Sequence, residues 1–101
     1  MSGHQMGYWS ARFEISVARR SVERHAAVEE LRAGLAAYRR VDFALEDERI
    51  LVTVMIGPTV DVQAAVDYFA LRLGQAVERS TLSGSQISNV GIQRRHGLPL
   101  V

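Results

Sequence analysis

Residues 50–56 read ILVTVMI, a β-branched run that stops at Gly57-Pro58. Side chains alternate between the two faces of a strand. Both faces of this run are almost wholly apolar, with Ile50, Val52, Val54 and Ile56 on one and Leu51, Thr53 and Met55 on the other. A strand that is apolar on both faces is typical of the centre of a sheet. We therefore predict a central strand here.

The residues just before this run predict its neighbour. The stretch 42–46 alternates, with Phe43 and Leu45 inward, and a polar turn of Glu46 to Arg49 leads into the next strand. A short strand flanked by polar residues is typical of a sheet edge. We expect the two strands to form a hairpin with the first of them at the edge.

Further towards the N-terminus, one strand and one helix are expected. Residues 8–17 alternate strictly, with Trp9, Ala11, Phe13, Ile15 and Val17 on the inward side. Ser21 is the predicted helix cap, Glu23 suits the first turn, and the apolar spacing runs to Arg39-Arg40. Gly34 weakens a helix, so we expect it where this helix crosses the sheet closely.

Towards the C-terminus, the pattern predicts a second helix and a fourth strand. Thr59 or Asp61 caps the helix, which ends near Arg79-Ser80. Its expected buried stripe is Val62, Ala65, Val66, Phe69, Leu73 and Ala76 or Val77. In the strand, 86–94, Val90 and Ile92 face one way, and Asn89, Gly91 and Gln93 face the other.

The predicted order, strand-helix-strand-strand-helix-strand, is that of the ferredoxin-like split βαβ fold, an α+β class. Right-handed crossovers would put the first and third strands at the centre of a four-stranded antiparallel sheet, with both helices on one face. We expect one domain over residues 8–96, a flexible leader over 1–7 and an apolar tail over 97–101.

Composition excludes several kinds of chemistry. The chain has no Cys, and all 12 of its basic residues are Arg, which excludes thiolate metal sites, Cys nucleophiles and Lys chemistry. No apolar stretch has the length of a membrane span, and no secretory signal pattern is visible. We expect a chain that does not enter a membrane and resides in the cytoplasm.

Candidate catalytic and nucleic-acid-binding residues are few. The three histidines are His4, His25 and His96, and only His25 has a carboxylate at helical spacing, Glu29. RNA-recognition modules of this topology stack bases on aromatic residues of the central strands, and residues 50–56 contain none. We predict no catalytic residue, no cofactor and no nucleic-acid partner.

The sheet face that the helices leave bare carries the main functional prediction. We expect its interaction residues to be Leu51, Met55, Ala44, Arg12 and Gln93, because an exposed apolar patch usually marks a contact site. The favoured function is protein–protein interaction, most simply self-association, with another protein as a further partner. The alternative is a dimeric α+β barrel, an enzyme or small-molecule binder with a cavity between two sheets. Its polar lining would come from Arg12, Glu14, Thr53, Asn89 and Gln93.

The N-terminal residues suggest one adventitious metal site. After removal of the initiator Met, the terminus would read Ser2-Gly3-His4. A free amine, two amides and the His4 imidazole can hold Cu(II) or Ni(II) in a square plane. Any chain with this terminus shares that chemistry, so it indicates no biological role.

Overall fold

The computed structural model describes residues 8–17 and 23–95. They form six elements in the predicted order. These are β1 (Tyr8–Ser16), α1 (Arg24–Gly34), β2 (Val41–Leu45), β3 (Arg49–Ile56), α2 (Val62–Glu78) and β4 (Gln86–Arg95). The predicted leader 1–7 and tail 97–101 lie outside the described residues, as do Ser21, His4 and His96.

The four strands make one antiparallel sheet in the order β2-β3-β1-β4. The first and third strands are therefore central, and β2 lies at an edge, as the sequence predicts. The α+β class with four antiparallel strands and two helices is confirmed. Neither described helix combines the length and apolar character that crossing a bilayer requires.

The core lies between one sheet face and the two helices. Inward side chains of the central strands, such as Phe13 and Val52, are 1% and 0% exposed. They meet the apolar stripe of α2, where the rings of Phe13 and Phe69 lie 5.4 Å apart between centroids. The inward side chains of the strands and the apolar stripe of α2 thus form one hydrophobic cluster.

Helix α1 is shorter at both ends than the sequence suggests. Glu23 is its N-cap, where its carboxylate accepts hydrogen bonds from the amides of His25 and Ala26. The helix ends at Gly34 rather than near Arg39-Arg40. Leu35 is nevertheless buried and Tyr38 packs on the core. Apolar spacing indicates which side chains pack on the core. Leu35 and Tyr38 do so from a turn rather than from a further turn of helix.

Gly34 marks a close approach, but the neighbour is the other helix. A Cβ at Gly34 would lie 3.0 Å from the Cβ of Ala76 on α2. The expectation that α1 crosses the sheet at Gly34 was therefore wrong. The glycine lets α1 and α2 approach each other.

Helix α2 agrees closely with the prediction. Asp61 is its N-cap and accepts a hydrogen bond from the amide of Ala64, while the Thr59 hydroxyl accepts one from the amide of Asp61. The C-cap is Arg79. Its buried residues are Val66, Phe69, Leu73, Ala76 and Val77.

Strand β4 departs from simple alternation. Its register against β1 shifts between Arg12 and Phe13, so that Arg12 pairs with Gly91 but Phe13 pairs with Asn89. Val90 is the extra residue of this bulge and is 54% exposed. Asn89 therefore lies opposite Phe13 on the helix-covered face. Its predicted place on the bare face was wrong, because one inserted residue reverses the facing of a strand beyond it.

Candidate interaction face

The sheet face opposite the helices, here called the open face, is not covered by either helix. Pairing places its residues in rows across the sheet. One row joins Met55, Ser10 and Gln93, the next joins Asp42, Thr53, Arg12 and Gly91, and the third joins Ala44, Leu51, Glu14 and Ser88.

The open face holds all five residues that the sequence predicts for it. Arg12, Ala44 and Gln93 are exposed, whereas Leu51 and Met55 are half-buried between their neighbours. The exposed apolar patch is consequently smaller than the expected one. The neighbouring open-face side chains on β1 are the polar or charged Ser10, Arg12 and Glu14.

Ser10 is buried although it lies on the open face. It is 1% exposed, and the Nε of Arg95 donates a hydrogen bond of 3.2 Å to its hydroxyl. Alternation along β1 puts Ser10 on the side opposite the inward residues, where an exposed side chain is expected, so its burial departs from the pattern. The two residues are 85 positions apart in the chain, so local sequence carries no signal of the contact.

Acidic side chains gather at one end of the open face, here called the acidic end. Arg49 forms ion pairs with Glu14 at 3.0 Å and Glu46 at 2.9 Å, and Asp47 and Glu48 follow in the turn. Hydrogen bonding to Glu14, reinforced by Glu46, raises the pKa of the Arg49 guanidinium. Arg24 also reaches this end, where its guanidinium donates a hydrogen bond of 3.1 Å to the carbonyl of Glu46, so two arginines stand among four carboxylates.

Arginines gather at the opposite end of the sheet, here called the basic end. The carbonyl of Arg40 accepts a hydrogen bond of 3.0 Å from the amide of Met55, and Arg95 reaches Ser10. On the helix side of this end, the guanidinium of Arg94 lies 5.8 Å from the ring centre of Trp9. The carboxylates of the β2–β3 turn and the arginines Arg40 and Arg95 therefore lie apart along the strand direction.

Arg12 lies between these two ends. It is exposed, and no hydrogen bond or ion pair within residues 8–17 and 23–95 engages its guanidinium. Gln93 lies diagonally across from it, beside Ser10. These two residues are the pair that the barrel alternative requires on one face.

The described residues do not assemble a metal-binding cluster. His25 is exposed on α1, and its predicted partner Glu29 instead forms an ion pair with Arg32 at 3.4 Å. Within the described part of the chain, no three His, Asp or Glu side chains converge to hold a metal ion. The site at His4 lies outside that part.

These features define an α+β protein with one uncovered and electrically polarised sheet face. Comparison of the sequence with known protein families finds no match, and comparison with curated proteins finds none either.

Proposed function

We propose that the chain is a ferredoxin-like module that acts without catalysis, by binding protein through its open face, and that its first partner is a second copy of itself. The central position of β1 and β3, and the connection of the strands through α1 and α2, support the ferredoxin-like description. The bare face supports the interaction.

The separation of charge between the acidic end and the basic end is the observation that supports self-association. If two open faces meet with their strands in opposite directions, the acidic end of one copy lies over the basic end of the other. A two-fold axis makes such contacts twice. Complementary potentials favour this arrangement over one with like ends together.

The half-buried Leu51 and Met55 supply the apolar centre of the proposed interface. Interfaces are more apolar in the middle and polar at the rim, and on this face the charged ends surround the two side chains. Burial of both would remove further apolar surface from water.

Light scattering at micromolar concentration tests the proposal. We expect a dimer for the wild type and a folded monomer for the double variant Leu51→Glu/Met55→Glu, because each half-buried site can turn a carboxylate towards solvent. The matched control is Val60→Glu/Leu71→Glu, two exposed apolar positions at 97% and 58%, which should remain dimeric. A monomeric wild type contradicts the proposal.

The second candidate is the dimeric α+β barrel, supported by Arg12 and Gln93 on one face. In a barrel these side chains line a cavity, so Arg12→Ala and Gln93→Ala would leave the dimer intact and remove ligand binding. In a directly packed interface the same changes weaken the dimer. Mass measurement of both variants separates the two functions.

A further inference from the structure

A groove on the helix side of the basic end has a composition unlike that of the open face. It measures about 450 Å³ and lies between α2, the end of β3 and the turn after α1. Its principal lining residues are Tyr38, Ile56, Gly57, Tyr68, Phe69 and Arg72. We call it the α2 groove.

Helical spacing explains why α2 presents these side chains together. Ala65, Tyr68, Phe69 and Arg72 follow each other at intervals of three, one and three, so they lie on one side of the helix. Phe69 belongs to the buried stripe as well, and Tyr38 meets its ring edge-on at 4.9 Å between centroids. The floor is therefore apolar and continuous with the core.

Among the residues that the structure describes, Arg72 is the only charged one that lines the groove. It is half-buried, and within the described residues no carboxylate pairs with it and no hydrogen bond engages it. A guanidinium offers five donors in a planar fork that matches a carboxylate. A donor set of this kind beside an apolar floor favours an anion with an apolar body.

We propose that the α2 groove binds a small carboxylate, with Arg72 holding the carboxylate group and Ile56 and Tyr68 contacting an aliphatic or aromatic body. Ligand sites commonly combine an apolar lining with a few orienting polar groups. Nothing in this proposal depends on the open face.

Tyr38 lines the groove with an uncharged phenol. Burial raises the pKa of its phenol above the ordinary value of 10.0, and Tyr68 adds to that rise while Arg72 opposes it. The phenol therefore remains protonated at neutral pH. A protonated phenol does not repel an anion as a phenolate would.

Two matched probes, octanoate and the neutral octanamide, test the proposal by titration with two-dimensional amide NMR. We expect saturable shifts with octanoate at Gly57, Tyr68 and Arg72, and binding about tenfold weaker for octanamide, because a charge-assisted hydrogen bond contributes at least that factor. The variant Arg72→Gln should weaken octanoate by a similar factor and leave octanamide unchanged. The control Arg79→Gln, an exposed arginine at the C-cap of the same helix, should behave as wild type.

A second variant fills the groove without touching the charge. A Cβ at Gly57 meets no atom within 4 Å, so Gly57→Leu should fold normally and block both probes. Three outcomes overturn the proposal: no saturation by octanoate up to about 10 mM, equal binding of the two probes, or unchanged binding in both variants.

Discussion

Glu23 shows at the scale of one residue how charge begins a helix. Its carboxylate accepts hydrogen bonds from the amides of Ala26 and His25, in that order of importance, and these bonds lower its pKa from the ordinary value of 4.5. A lowered pKa in the folded state means that the ionised form adds stability above about pH 4.5. That contribution is lost as the pH falls through the folded-state value.

The variant Glu23→Gln should therefore melt a few degrees below the wild type at neutral pH, because the amide oxygen is a weaker acceptor at a helix N-terminus. The gap should close on acidification below pH 4.5, where the wild-type carboxyl becomes protonated. Thermal melts across this range check both statements. Glu29→Gln is the control, since its pair with Arg32 is exposed and such pairs contribute little. A difference in melting temperature that persists well below pH 4.5 would contradict the role of the Glu23 carboxylate as the N-cap.

Phe13 tests the facing of β1. It is 1% exposed in the core, so Phe13→Asp should unfold the chain, because an unpaired buried carboxylate costs several kcal/mol, roughly the stability of a small domain. Ser16→Asp, at the exposed end of the same strand, should melt within about 3 °C of wild type. Circular dichroism melts decide between them. Equal tolerance at both positions would mean that the register is wrong.

The limits of sequence reasoning are also visible in single residues. The alternation of β1 gave the facing of Phe13 correctly because burial of a strand face is a local, period-two property. The same alternation failed at Ser10, where a hydrogen bond from the distant Arg95 covers the hydroxyl. A contact across 85 positions depends on the finished sheet, and no local pattern contains it.

At the scale of the element, the sequence pattern predicts the ends of a long helix better than those of a short one. Helix α2 has 17 residues, enough for its apolar stripe and its Asp61 cap to fix both ends. Helix α1 has 11, and the buried Leu35 beyond its end extended the apparent stripe. The bulge at Val90 could not be anticipated, because it exists only in the pairing of β4 with β1.

The approach of the two helices predicts different effects of alanine at two glycines. A Cβ at Gly34 would lie 3.0 Å from that of Ala76, whereas a Cβ at Gly74 in α2 meets nothing within 4 Å. Gly74→Ala should therefore stabilise the protein by up to about 1 kcal/mol through helix propensity. Gly34→Ala should gain less or lose stability, because α1 and α2 must separate by a few tenths of an ångström.

Urea unfolding of the two variants measures this difference. The double variant Gly34→Ala/Gly74→Ala should be close to the sum of the two single effects, because each alanine meets a different surrounding. If Gly34→Ala stabilises as much as Gly74→Ala, the helices are not in close contact at Ala76.

At the scale of the whole molecule, part of each charged stretch of the sequence lies at one end of the sheet. Residues 41–78 hold two Arg against seven acidic residues, and residues 79–101 hold three Arg and no acid. Neighbouring strands of a sheet can bring such charges together, as Arg49 and Glu14 show. The hairpin turn, by contrast, places Glu46, Asp47 and Glu48 at one end of the sheet, and Arg40 and Arg95 lie at the other. This separation follows from strand direction, which local patterns do not give.

The proposed antiparallel dimer predicts the outcome of a charge exchange between these ends. Arg40 and Asp47 are both exposed and lie at opposite ends of the sheet. In the antiparallel dimer, Arg40 of one copy would therefore face Asp47 of the other copy. Arg40→Glu and Asp47→Arg should each weaken dimerisation about threefold to tenfold, since each places like charges together. The double variant should recover most of that loss, because it restores opposite charges at both ends. Raising salt should weaken the wild-type dimer and reduce all these differences. Sedimentation equilibrium of the four proteins measures the effects, with Arg79→Glu on α2 as a control for net charge. If the double variant loses as much dimer affinity as the two single variants combined, the antiparallel arrangement is ruled out, even for a chain that is a dimer.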